Sequence, residues 1–409
     1  MKILIVSQYF WPENMRINEL VKDFSVKGYE VTVLTGLPNY PDGKIFQEYK
    51  NKPVEFQSYH GAKIIRVPML PRGKWRIMLA LNYFSFFISA TFIGSFKLRK
   101  FIFDNIFVFA VSPIMVAIPA IIIGKRKRAP VFIWVLDLWP ESLQAVGVMK
   151  NKLLLKIVGK LVSWIYNRSD YLLLQSNSFV ENVKIYCTKK IDESRLVYFP
   201  SWAEEVFSSK PIIKTFLIQP ETNVTTIVFA GNIGEAQDFP TILEAVNLLK
   251  EKMSLRWVIA GDGRMFNWLK EQVEQRKLQN VILLGRLPVE SMPNLFDSAD
   301  ALLVSLKTNE VFSKTIPGKV QAYLASGKPI LAVIDGEAAK VINDAGAGFT
   351  SNAGNVESFA ENIRKFVRLT KAERDTIGVN GKKYYELHFS KEKIYAQLET
   401  LFQNSTLRN

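Results

Sequence analysis

The chain has 409 residues, 48% of them hydrophobic, and a formal net charge of +15. This length predicts two to three domains, each with its own core, and the apolar content excludes a disordered chain. A single cysteine, Cys187, excludes an internal disulfide and fits a reducing compartment. With only His60 and His388 besides, a metal site built on Cys or His is disfavoured.

The positive charge is concentrated in the first half. Residues 1–200 contain 28 Lys and Arg against 14 Asp and Glu, so this half contributes +14 of the +15. The excess is clustered at 72–76, 97–100, 125–128 and 150–160. Such clusters suit anionic lipid or nucleic acid, and we favour lipid because none of them lies in a recognisable nucleic-acid-reading module.

The chain begins with a βαβ pattern. MKILIVSQYF predicts a buried strand and lacks the cleavage site of a signal peptide, a helix follows from residue 18, and residues 29–35 predict a second strand. The first loop, WPENMRI, lacks the glycine fingerprint of dinucleotide binders, which disfavours a nicotinamide cofactor. The turn-rich loop GLPNYPDGK (36–44) presents Asn39 and Tyr40, which serve either ligand binding or turn formation.

Residues 77–96 are uncharged and long enough to cross a bilayer. A transmembrane helix is one interpretation. We favour a helix packed on the sheet with an outer apolar stripe at the membrane surface, because polar residues dilute the stretch and basic residues flank both ends. The strand and apolar helix predicted over 106–123 are interpreted in the same way.

The segment VFIWVLDLWPESL (131–143) carries the best catalytic candidate of the first half. A buried strand ends at Asp137, and Trp139-Pro140-Glu141 begins a helix. A carboxylate at the carboxyl end of a parallel strand lies at the ligand-binding edge of the sheet. The alternative is that Asp137 only caps the helix. Further strands are predicted at 171–176 and 196–200, followed by a linker over 211–222.

In the second half, several predicted strands end in loops rich in glycine or basic residues. The strands cover 225–230, 256–260, 280–285 and 301–306, and alternation with helices predicts parallel pairing. Their carboxyl ends then meet at one edge, where such sheets bind ligands. The loop residues are Gly231, Asn232, Ile233 and Gly234, then Gly261, Asp262, Gly263 and Arg264, then Arg286 and Leu287. Jointly they predict a site for a nucleotide diphosphate.

The stretch 311–333 follows the last of these strands. Pro317-Gly318 precedes Lys319 at the start of a helix that Gly327 ends, and a buried strand begins at Ile330. A lysine at a helix N-terminus can bind an anion, although an ordinary turn with a surface lysine has the same pattern. A strand at 348–351 and helices at 356–368, 371–386 and 391–403 complete the chain. Both halves are therefore predicted to be doubly wound α/β domains facing each other across a cleft.

The loops GNIG, GDGR and GRLP and the run PGKVQAYLASGKPIL resemble the family-4 retaining glycosyltransferases of the GT-B fold. QYFWPE, TGLPNYPDG and DLWPESL resemble the bacterial branch described as L-fucosamine transferases of O-antigen or capsule assembly. The resemblance implies an acceptor domain over 1–205, a linker over 206–222 and a nucleotide-sugar domain over 223–390. It also implies that the C-terminal helix, 391–409, packs back on the first domain.

The sequence departs from this family at a Glu-x7-Glu pair, where Ser313 and Gln321 stand. By the resemblance, Gln321 holds the ribose as a neutral amide, and Glu310 substitutes for the glutamate that contacts the donor sugar. The basic pair expected after the first glycine loop is also missing. We therefore expect Lys319, Arg264 and the backbone N–H groups of 232–234 to bind the phosphates. The expected acceptor contacts are Trp11, Glu13, Asn14, Arg16, Asn39, Tyr40, Trp139 and Glu141, with Asp137 as the catalytic carboxylate.

The resemblance thus implies a metal-independent, retaining hexosyltransferase that needs no cofactor besides its UDP-sugar donor. The expected transfer moves an N-acetylated deoxyhexosamine such as L-FucNAc to a polyprenyl-diphosphate-linked glycan. The expected location is cytoplasmic, peripheral on the anionic inner-membrane surface, without nucleic acid. The absence of any Asp-x-Asp pair argues against a metal-bound donor. Two alternatives stay open: a UDP-sugar 2-epimerase and a non-catalytic membrane-associated protein.

Overall fold

The computed structural model describes residues 1–73, 75–145, 147–187, 192–208, 218–219, 221–250 and 253–406. Most of the expected linker, including residues 211–217, therefore lies outside the described residues. The chain divides into two compact units. The first comprises Met1–Phe199 and Tyr395–Asn409, and the second comprises Pro200–Ile394.

The first unit is built on an eight-stranded sheet in the order β3-β4-β2-β1-β5-β6-β7-β8. All neighbours pair in parallel except β3 and β4, which form an antiparallel pair at the edge. The strands are β1 (Lys2–Val6), β2 (Glu30–Thr35), β3 (Ser58–Tyr59), β4 (Ala62–Arg66), β5 (Asn105–Ala110), β6 (Val131–Val135), β7 (Tyr171–Leu174) and β8 (Leu196–Tyr198). Strands β5 and β6 are buried along their whole length, as expected for the centre of a parallel sheet.

The helices of this unit are α1 (Ile17–Val26), α2 (Gln47–Asn51), α3 (Arg76–Ser89), α4 (Ser95–Lys97), α5 (Ala117–Lys127), α6 (Glu141–Ala145), α7 (Lys152–Tyr166) and α8 (Phe179–Tyr186). A π-helical turn, Ala90–Gly94, joins α3 to α4, so the apolar stretch of the sequence is one long helical segment. Its buried side includes Asn82, Phe86 and Ala90.

The opposite side of this segment exposes a stripe of large apolar residues. The stripe comprises Ile77, Leu81, Phe84, Ile88, Phe92 and Phe96. Among the described residues, one helix is long and apolar enough to cross a membrane, Ile77–Lys97. In the most apolar 18-residue window of this helix, 22% is buried inside the protein. Length and composition alone are weak support for a span, and both interpretations of this helix stay predictions.

The last helix, α18 (Lys391–Thr406), contributes its residues from Tyr395 onward to the first unit. The Phe402 ring makes edge contacts with Phe107 and Phe132, with centroids 6.4 and 4.9 Å away, and Tyr395 contacts Phe24. The chain thus returns to complete the core of its first unit.

The second unit has a six-stranded sheet in the order β11-β10-β9-β12-β13-β14, with every pair parallel. Its strands are β9 (Thr225–Ala230), β10 (Leu255–Ala260), β11 (Val281–Gly285), β12 (Ala301–Ser305), β13 (Ile330–Val333) and β14 (Gly348–Ser351). Its helices are α9 (Glu205–Ser208), α10 (Phe239–Leu249), α11 (Phe266–Gln275), α12 (Met292–Asp297), α13 (Glu310–Ser313), α14 (Gly318–Ser326), α15 (Glu337–Asp344), α16 (Val356–Arg368) and α17 (Lys371–His388). Counted within the unit, this is the 3-2-1-4-5-6 order of the Rossmann fold.

Helices cover both faces of the second sheet. Along β9, Val228 and Ala230 join one core cluster, whereas Ile227 and Phe229 join another. Since successive side chains of a strand point to opposite faces, the two clusters lie on the two sides of the sheet. The predicted α/β class with two doubly wound Rossmann-like domains is therefore confirmed. The edge hairpin β3–β4 and the short helices α2, α9 and α13 were not predicted.

Candidate functional site

In the second unit, the strand order reverses between β9 and β12. Sheets of this type bind ligands beyond the carboxyl ends of their strands at such a switch point. The glycine loop Gly231–Gly234 leaves β9 there, and the segment that leads to Lys319 leaves β12. Lys307 N–H donates to the Ala236 carbonyl at 2.9 Å, which ties the two connections together. The predicted donor loops therefore start from the expected position in the sheet.

Lys319 stands in the first turn of α14 and reaches back to the end of β9. Its Nζ lies 3.5 Å from the centroid of the Phe229 ring. A Cβ atom built on Gly231 would be only 2.5 Å from Lys319 Cε. The φ of Gly231 is +134°, which also favours glycine. Gly231 therefore leaves the space that the lysine side chain fills.

Tyr323 fixes the helix that carries this lysine. Its hydroxyl lies 3.1 Å from the Ala230 nitrogen and 3.3 Å from the Ala230 oxygen, and the ring is buried. One turn of helix separates Tyr323 from Lys319, so these contacts hold the start of α14 against the last residue of β9. The position of the ammonium is set by the core rather than by a flexible surface loop.

Burial lowers the pKa of Lys319 to about 7, and none of the described carboxylates counteracts this effect. The side chain is partly buried, and its ammonium group lies over the Phe229 ring. A buried cation without an anion is costly, and a bound phosphate would remove that cost by pairing with the ammonium. Pro317 at the N-cap provides no side-chain acceptor to the first N–H groups of α14. The start of this helix is thus suited to an anionic group.

The two glycine loops touch each other through their backbones. A Cβ atom on Gly261 would lie 1.8 Å from the Gly231 oxygen, and one on Gly263 would lie 2.3 Å from the Ile233 oxygen. Both glycines have positive φ, +148° and +158°. Any side chain at either position would separate the loops, so glycine is required for this close approach.

These contacts correct one expectation. The N–H groups of Ile233 and Gly234 do not point freely at a ligand, because each already has an internal acceptor. Ile233 N–H donates to the Asp262 carbonyl at 2.8 Å, and Gly234 N–H donates to Gln237 Oε1 at 3.1 Å. Of the three amides expected to bind phosphate, Asn232 N–H is the one with no acceptor among the described residues.

Gln321 lies in the second turn of α14, two residues after Lys319. It is fully buried, yet neither its Nε2 nor its Oε1 has a hydrogen-bond partner within the described part of the chain. An unsatisfied buried polar group costs about 1–3 kcal/mol. An amide offers both a donor and an acceptor, which is the pairing that vicinal hydroxyls of a ribose require.

The remaining predicted donor residues differ in their exposure and in the contacts that they already make within the protein. Asp262, Arg264 and Arg286 are exposed, and Leu287 packs against the core. Glu310 does not stand free for a sugar, because its Oε1 accepts from Lys314 Nζ at 2.7 Å one turn along α13. Ser313 Oγ donates to the Glu310 carbonyl. The proposed substitution of Glu310 for the missing glutamate therefore requires this exposed ion pair to open.

In the first unit, Asp137 follows β6, two residues past its end. Burial raises the pKa of its carboxyl group to about 6. The following helix does not use this carboxylate as a cap, since Ser142 N–H donates to the Leu138 carbonyl instead. No hydrogen bond to the Asp137 carboxylate is formed by the residues that the structure describes. The capping interpretation is not supported, and the group keeps its acceptor capacity for a ligand.

Glu13 and Asn39, both expected to contact an acceptor, are occupied within the protein. The carboxylate of buried Glu13 accepts from the N–H groups of Phe10, Asn39 and Tyr40 at 2.7–2.9 Å. The Asn39 side chain donates to the Leu37 carbonyl and accepts from Arg72 N–H. These two side chains hold together the loops that follow β1 and β2, so their role is to position neighbours.

A cluster of tyrosines around Arg72 was missed by the sequence analysis. The Arg72 guanidinium lies 5.2 Å from the Tyr40 ring centroid, and the rings of Tyr9 and Tyr40 are 5.2 Å apart. Burial raises the pKa of Tyr83, and the positive charge of Arg72 opposes this effect. The described carboxylates form no ion pair with Arg72. Tyr9, Tyr40, Arg72 and Tyr83 stand far apart in the sequence, and only folding brings them together.

The other predicted acceptor residues differ in burial and in the contacts that they make. Trp11 stacks on Phe56, with centroids 4.8 Å apart, while Asn14 is exposed and Arg16 is partly buried. Trp139 is buried. Glu141 accepts from the Tyr186 hydroxyl at 2.6 Å. Among the described residues, no group of three or more His, Cys, Asp or Glu side chains could hold a metal ion.

Part of the second unit is similar to a known protein family. Residues 215–384 match the family model described as "Glycosyl transferases group 1". The matched segment contains Lys319, Gln321 and both glycine loops. It overlaps most of residues 223–390, the domain that the sequence predicts to bind the nucleotide sugar.

Two bacterial proteins are similar to this chain over most of its length. The probable glycosyltransferase WbjE of Pseudomonas aeruginosa is 28% identical over 293 residues, covering 68% of this chain and 70% of WbjE. The putative colanic acid biosynthesis glycosyl transferase WcaI of Escherichia coli K12 is 24% identical over 420 residues, covering 97% and 98% of the two chains. The similarity to WcaI extends through both units.

A solved structure supports the same fold. The Anabaena protein HepE, in complex with UDP, has a TM-score of 0.68 and 14% identity, with 99% of this chain and 100% of HepE covered. At this identity the likeness defines the fold alone, and the neighbours of this kind are GT-B glycosyltransferases. The GT-B part of the sequence interpretation is confirmed, whereas family 4 and the L-fucosamine branch stay predictions.

Proposed function

We propose that this protein transfers a sugar from a UDP-sugar to a lipid-linked acceptor, with retention of anomeric configuration and without metal. The observation that carries the proposal is the Lys319 ammonium, which lies over the Phe229 ring at a helix N-terminus and has no carboxylate partner among the described residues. A cation stored in this way is suited to the diphosphate of a nucleotide sugar. The UDP complex of HepE supports uracil as the base.

The reaction breaks the bond between the anomeric carbon and the diphosphate oxygen, and it forms a bond from that carbon to an acceptor hydroxyl. Negative charge develops on the leaving diphosphate, and positive charge develops on the sugar. Preorganised cations near the leaving oxygen stabilise this transition state more than the ground state. Lys319 is the main candidate for this role, and exposed Arg264 can move toward the same phosphate.

The nucleoside is held by α14 and the neighbouring loops in this proposal. Gln321 satisfies its two orphan polar atoms with the ribose hydroxyls, and the segment at Arg286 and Leu287 lies beside the base. Asn232 N–H adds one backbone donor to the diphosphate. The hydrogen bonds of buried Gln321 form only in the complex, so binding recovers the cost of its desolvation.

The acceptor is assigned to the first unit. Asp137 accepts a hydrogen bond from the acceptor hydroxyl or stabilises the positive charge on the sugar, while the proton passes to the leaving phosphate. Arg72 and its tyrosines provide a cationic, aromatic surface for the acceptor's own phosphate and sugar. The donor sugar is proposed to be an N-acetylated deoxyhexosamine such as L-FucNAc, on the strength of the QYFWPE, TGLPNYPDG and DLWPESL motifs.

The lipid part of the acceptor follows from the surface of the first unit. The exposed stripe from Ile77 to Phe96 is apolar, and clustered lysines and arginines accompany it. Such a helix lies in the interface of an anionic bilayer with its apolar side inserted. We therefore propose a polyprenyl-diphosphate-linked glycan at the cytoplasmic face of the inner membrane, within assembly of a surface polysaccharide. The name of WcaI, a putative colanic acid enzyme, is consistent with that setting.

The test is a transfer assay in chelator-containing buffer. Purified protein is incubated with a panel of UDP-sugars, including UDP-L-FucNAc, and a short-chain prenyl-diphosphate-linked glycan, and products are identified by mass spectrometry and NMR. We expect a new glycosidic bond of retained configuration. Conversion of a UDP-sugar without any acceptor would instead identify the 2-epimerase alternative. Unchanged donors and acceptors across the panel would favour the non-catalytic alternative.

A further inference from the structure

Helix α7 (Lys152–Tyr166) has three faces, whereas an ordinary surface helix has two. One face is buried and contains Gly159, Val162, Ile165 and Tyr166. The helix begins at Asn151, whose side chain accepts from the N–H groups of Leu153 and Leu154. It is therefore a well-capped element packed on the first unit, and its other two faces point to solvent.

The second face of α7 is apolar and exposed. Leu153, Leu154 and Ile157 are 67%, 47% and 55% exposed. Leu161 and Trp164 continue the same stripe at helical spacing and are partly exposed. Large apolar residues scattered singly on a surface are ordinary, but a continuous stripe along a whole helix marks an interaction surface.

The third face of α7 is cationic. Lys152, Lys156 and Lys160 recur every four residues beside the apolar stripe, and all three are exposed. The segment 150–168 also contains Lys150 and Arg168 and has no Asp or Glu. The Arg168 guanidinium lies 4.7 Å from the Trp164 ring centroid at the end of the stripe. Residues 150–168 therefore carry five positive charges and no negative charge, which is more than the solubility of a single helix requires.

This combination identifies the partner by charge. A second copy of the chain would bring the same positive charges onto this face, so self-association through α7 is disfavoured by repulsion. An anionic bilayer offers acyl chains to the leucine stripe and phosphates to the lysines, whose long stems let the ammonium groups reach the headgroups. An anionic bilayer therefore suits both the apolar face and the cationic face of α7.

We propose that α7 is a second interfacial helix, which inserts Leu153, Leu154 and Ile157 into an anionic leaflet while the adjoining lysines bind the headgroups. This contact is separate in the chain from the Ile77–Phe96 stripe. It does not depend on sugar transfer, because membrane binding is measured without substrate. Two interfacial helices on one unit would hold the protein more firmly than either alone and restrict its orientation on the surface.

The experiment measures flotation of the full-length protein with vesicles of phosphatidylcholine alone or with 30% phosphatidylglycerol, a composition we choose for the assay. We expect Leu153→Gln/Ile157→Gln to lower the partition coefficient for anionic vesicles at least tenfold. Lys152→Gln/Lys156→Gln/Lys160→Gln should remove the preference for anionic vesicles. The matched control, Val379→Gln/Leu387→Gln, changes two apolar residues of the second unit that are 50% and 58% exposed and should bind as wild type does.

Thermal unfolding of each variant verifies that α7 still packs, and transfer to a water-soluble acceptor should be unchanged. If transfer fails while vesicle binding behaves as described, the proposed function is wrong and the α7 contact stands. Wild-type-like flotation of the α7 variants would overturn the inference. A concentration-dependent dimer that the same substitutions abolish would overturn it too, because the stripe would then serve self-association.

Discussion

The Lys319 ammonium lies 3.5 Å from the centroid of the Phe229 ring, and Gly231 leaves room for the lysine side chain to pass. Ring and lysine come from sequence positions 90 residues apart, and the switch point of the sheet brings them together. None of the described carboxylates pairs with this ammonium, and we propose that the diphosphate of the donor is its counterion.

The first prediction concerns Lys319→Met, which keeps the length of the side chain and removes its charge. We expect kcat/KM for transfer to fall at least 100-fold, because leaving-group stabilisation of this type is worth about 3 kcal/mol. Steady-state kinetics with the identified donor provide the measurement. The control is Lys365→Met on α16, an exposed lysine whose loss should change kcat/KM less than twofold. Full activity of Lys319→Met would remove this lysine from the mechanism.

The second prediction is a pH dependence of donor binding. Burial lowers the pKa of Lys319 to about 7, so the ammonium form predominates below pH 7 and is depleted above it. A bound diphosphate favours the ammonium, hence binding is accompanied by proton uptake. The affinity for the UDP-sugar should fall by up to about tenfold per pH unit above pH 7. Calorimetric titration between pH 6 and 9 measures this, and Lys319→Met should give a flat profile.

The third prediction separates stability from binding at Gln321. Replacing its unpaired buried amide by Gln321→Met should raise the free energy of unfolding of the free protein by about 1 kcal/mol, since two unsatisfied polar atoms are removed. The same variant should lose most of the thermal stabilisation that UDP-sugar produces. Denaturant unfolding and thermal shift test the two halves independently. A destabilised variant with wild-type ligand response would mean that Gln321 has a purely structural role.

The fourth prediction concerns Asp137→Asn. Burial raises the pKa of this carboxyl group from 3.8 to about 6, so the folded state binds a proton more tightly than the unfolded state. The stability due to protonation is complete below pH 3.8 and is lost as the pH rises through 6. The neutral variant should therefore be more stable than wild type at pH 8, by about 1–3 kcal/mol, with no difference near pH 4.

Asp137→Asn should lower the activity of the protein, although it raises the stability at pH 8. We expect wild-type kcat/KM to decline below pH 6 as Asp137 becomes protonated, and Asp137→Asn to lose at least 100-fold at pH 8. The rate profile is measured between pH 5 and 9 with the donor and acceptor fixed. Glu55→Gln, in an exposed ion pair with Lys52, is a control that should leave both stability and rate unchanged. An active, acid-insensitive Asp137→Asn variant would exclude a role for this carboxylate in the reaction.

Much of the fold was predictable because parallel strands leave a clear pattern. Runs such as 131–135 and 227–230 are apolar throughout, which is typical of strands covered on both faces, and amphipathic helices separate them. The antiparallel pair β3–β4 was missed, since β3 has only two residues and neither strand is buried along its whole length. Both strands therefore lack the continuous apolar run that marks the central strands.

The donor site was only partly predictable. Glycine loops and a lysine at a helix start are visible in the sequence, and so is the position of Gln321. Which backbone N–H groups are used internally is not visible, because Ile233 finds its acceptor in Asp262 through a tertiary contact. For the same reason, Glu13 was expected to contact a ligand, whereas it binds three backbone amides of neighbouring loops.

By itself, the sequence determined the class of fold, the order of its elements and the group of residues at the carboxyl edges of the sheets. These properties follow from local periodicity and from the glycine positions that backbone geometry requires. The tertiary structure alone decided which polar groups are already paired and which are left for a ligand. It also brought Arg72 together with three tyrosines and exposed the apolar stripe of α7. Pairing and exposure depend on neighbours distant along the chain, and no local pattern encodes them.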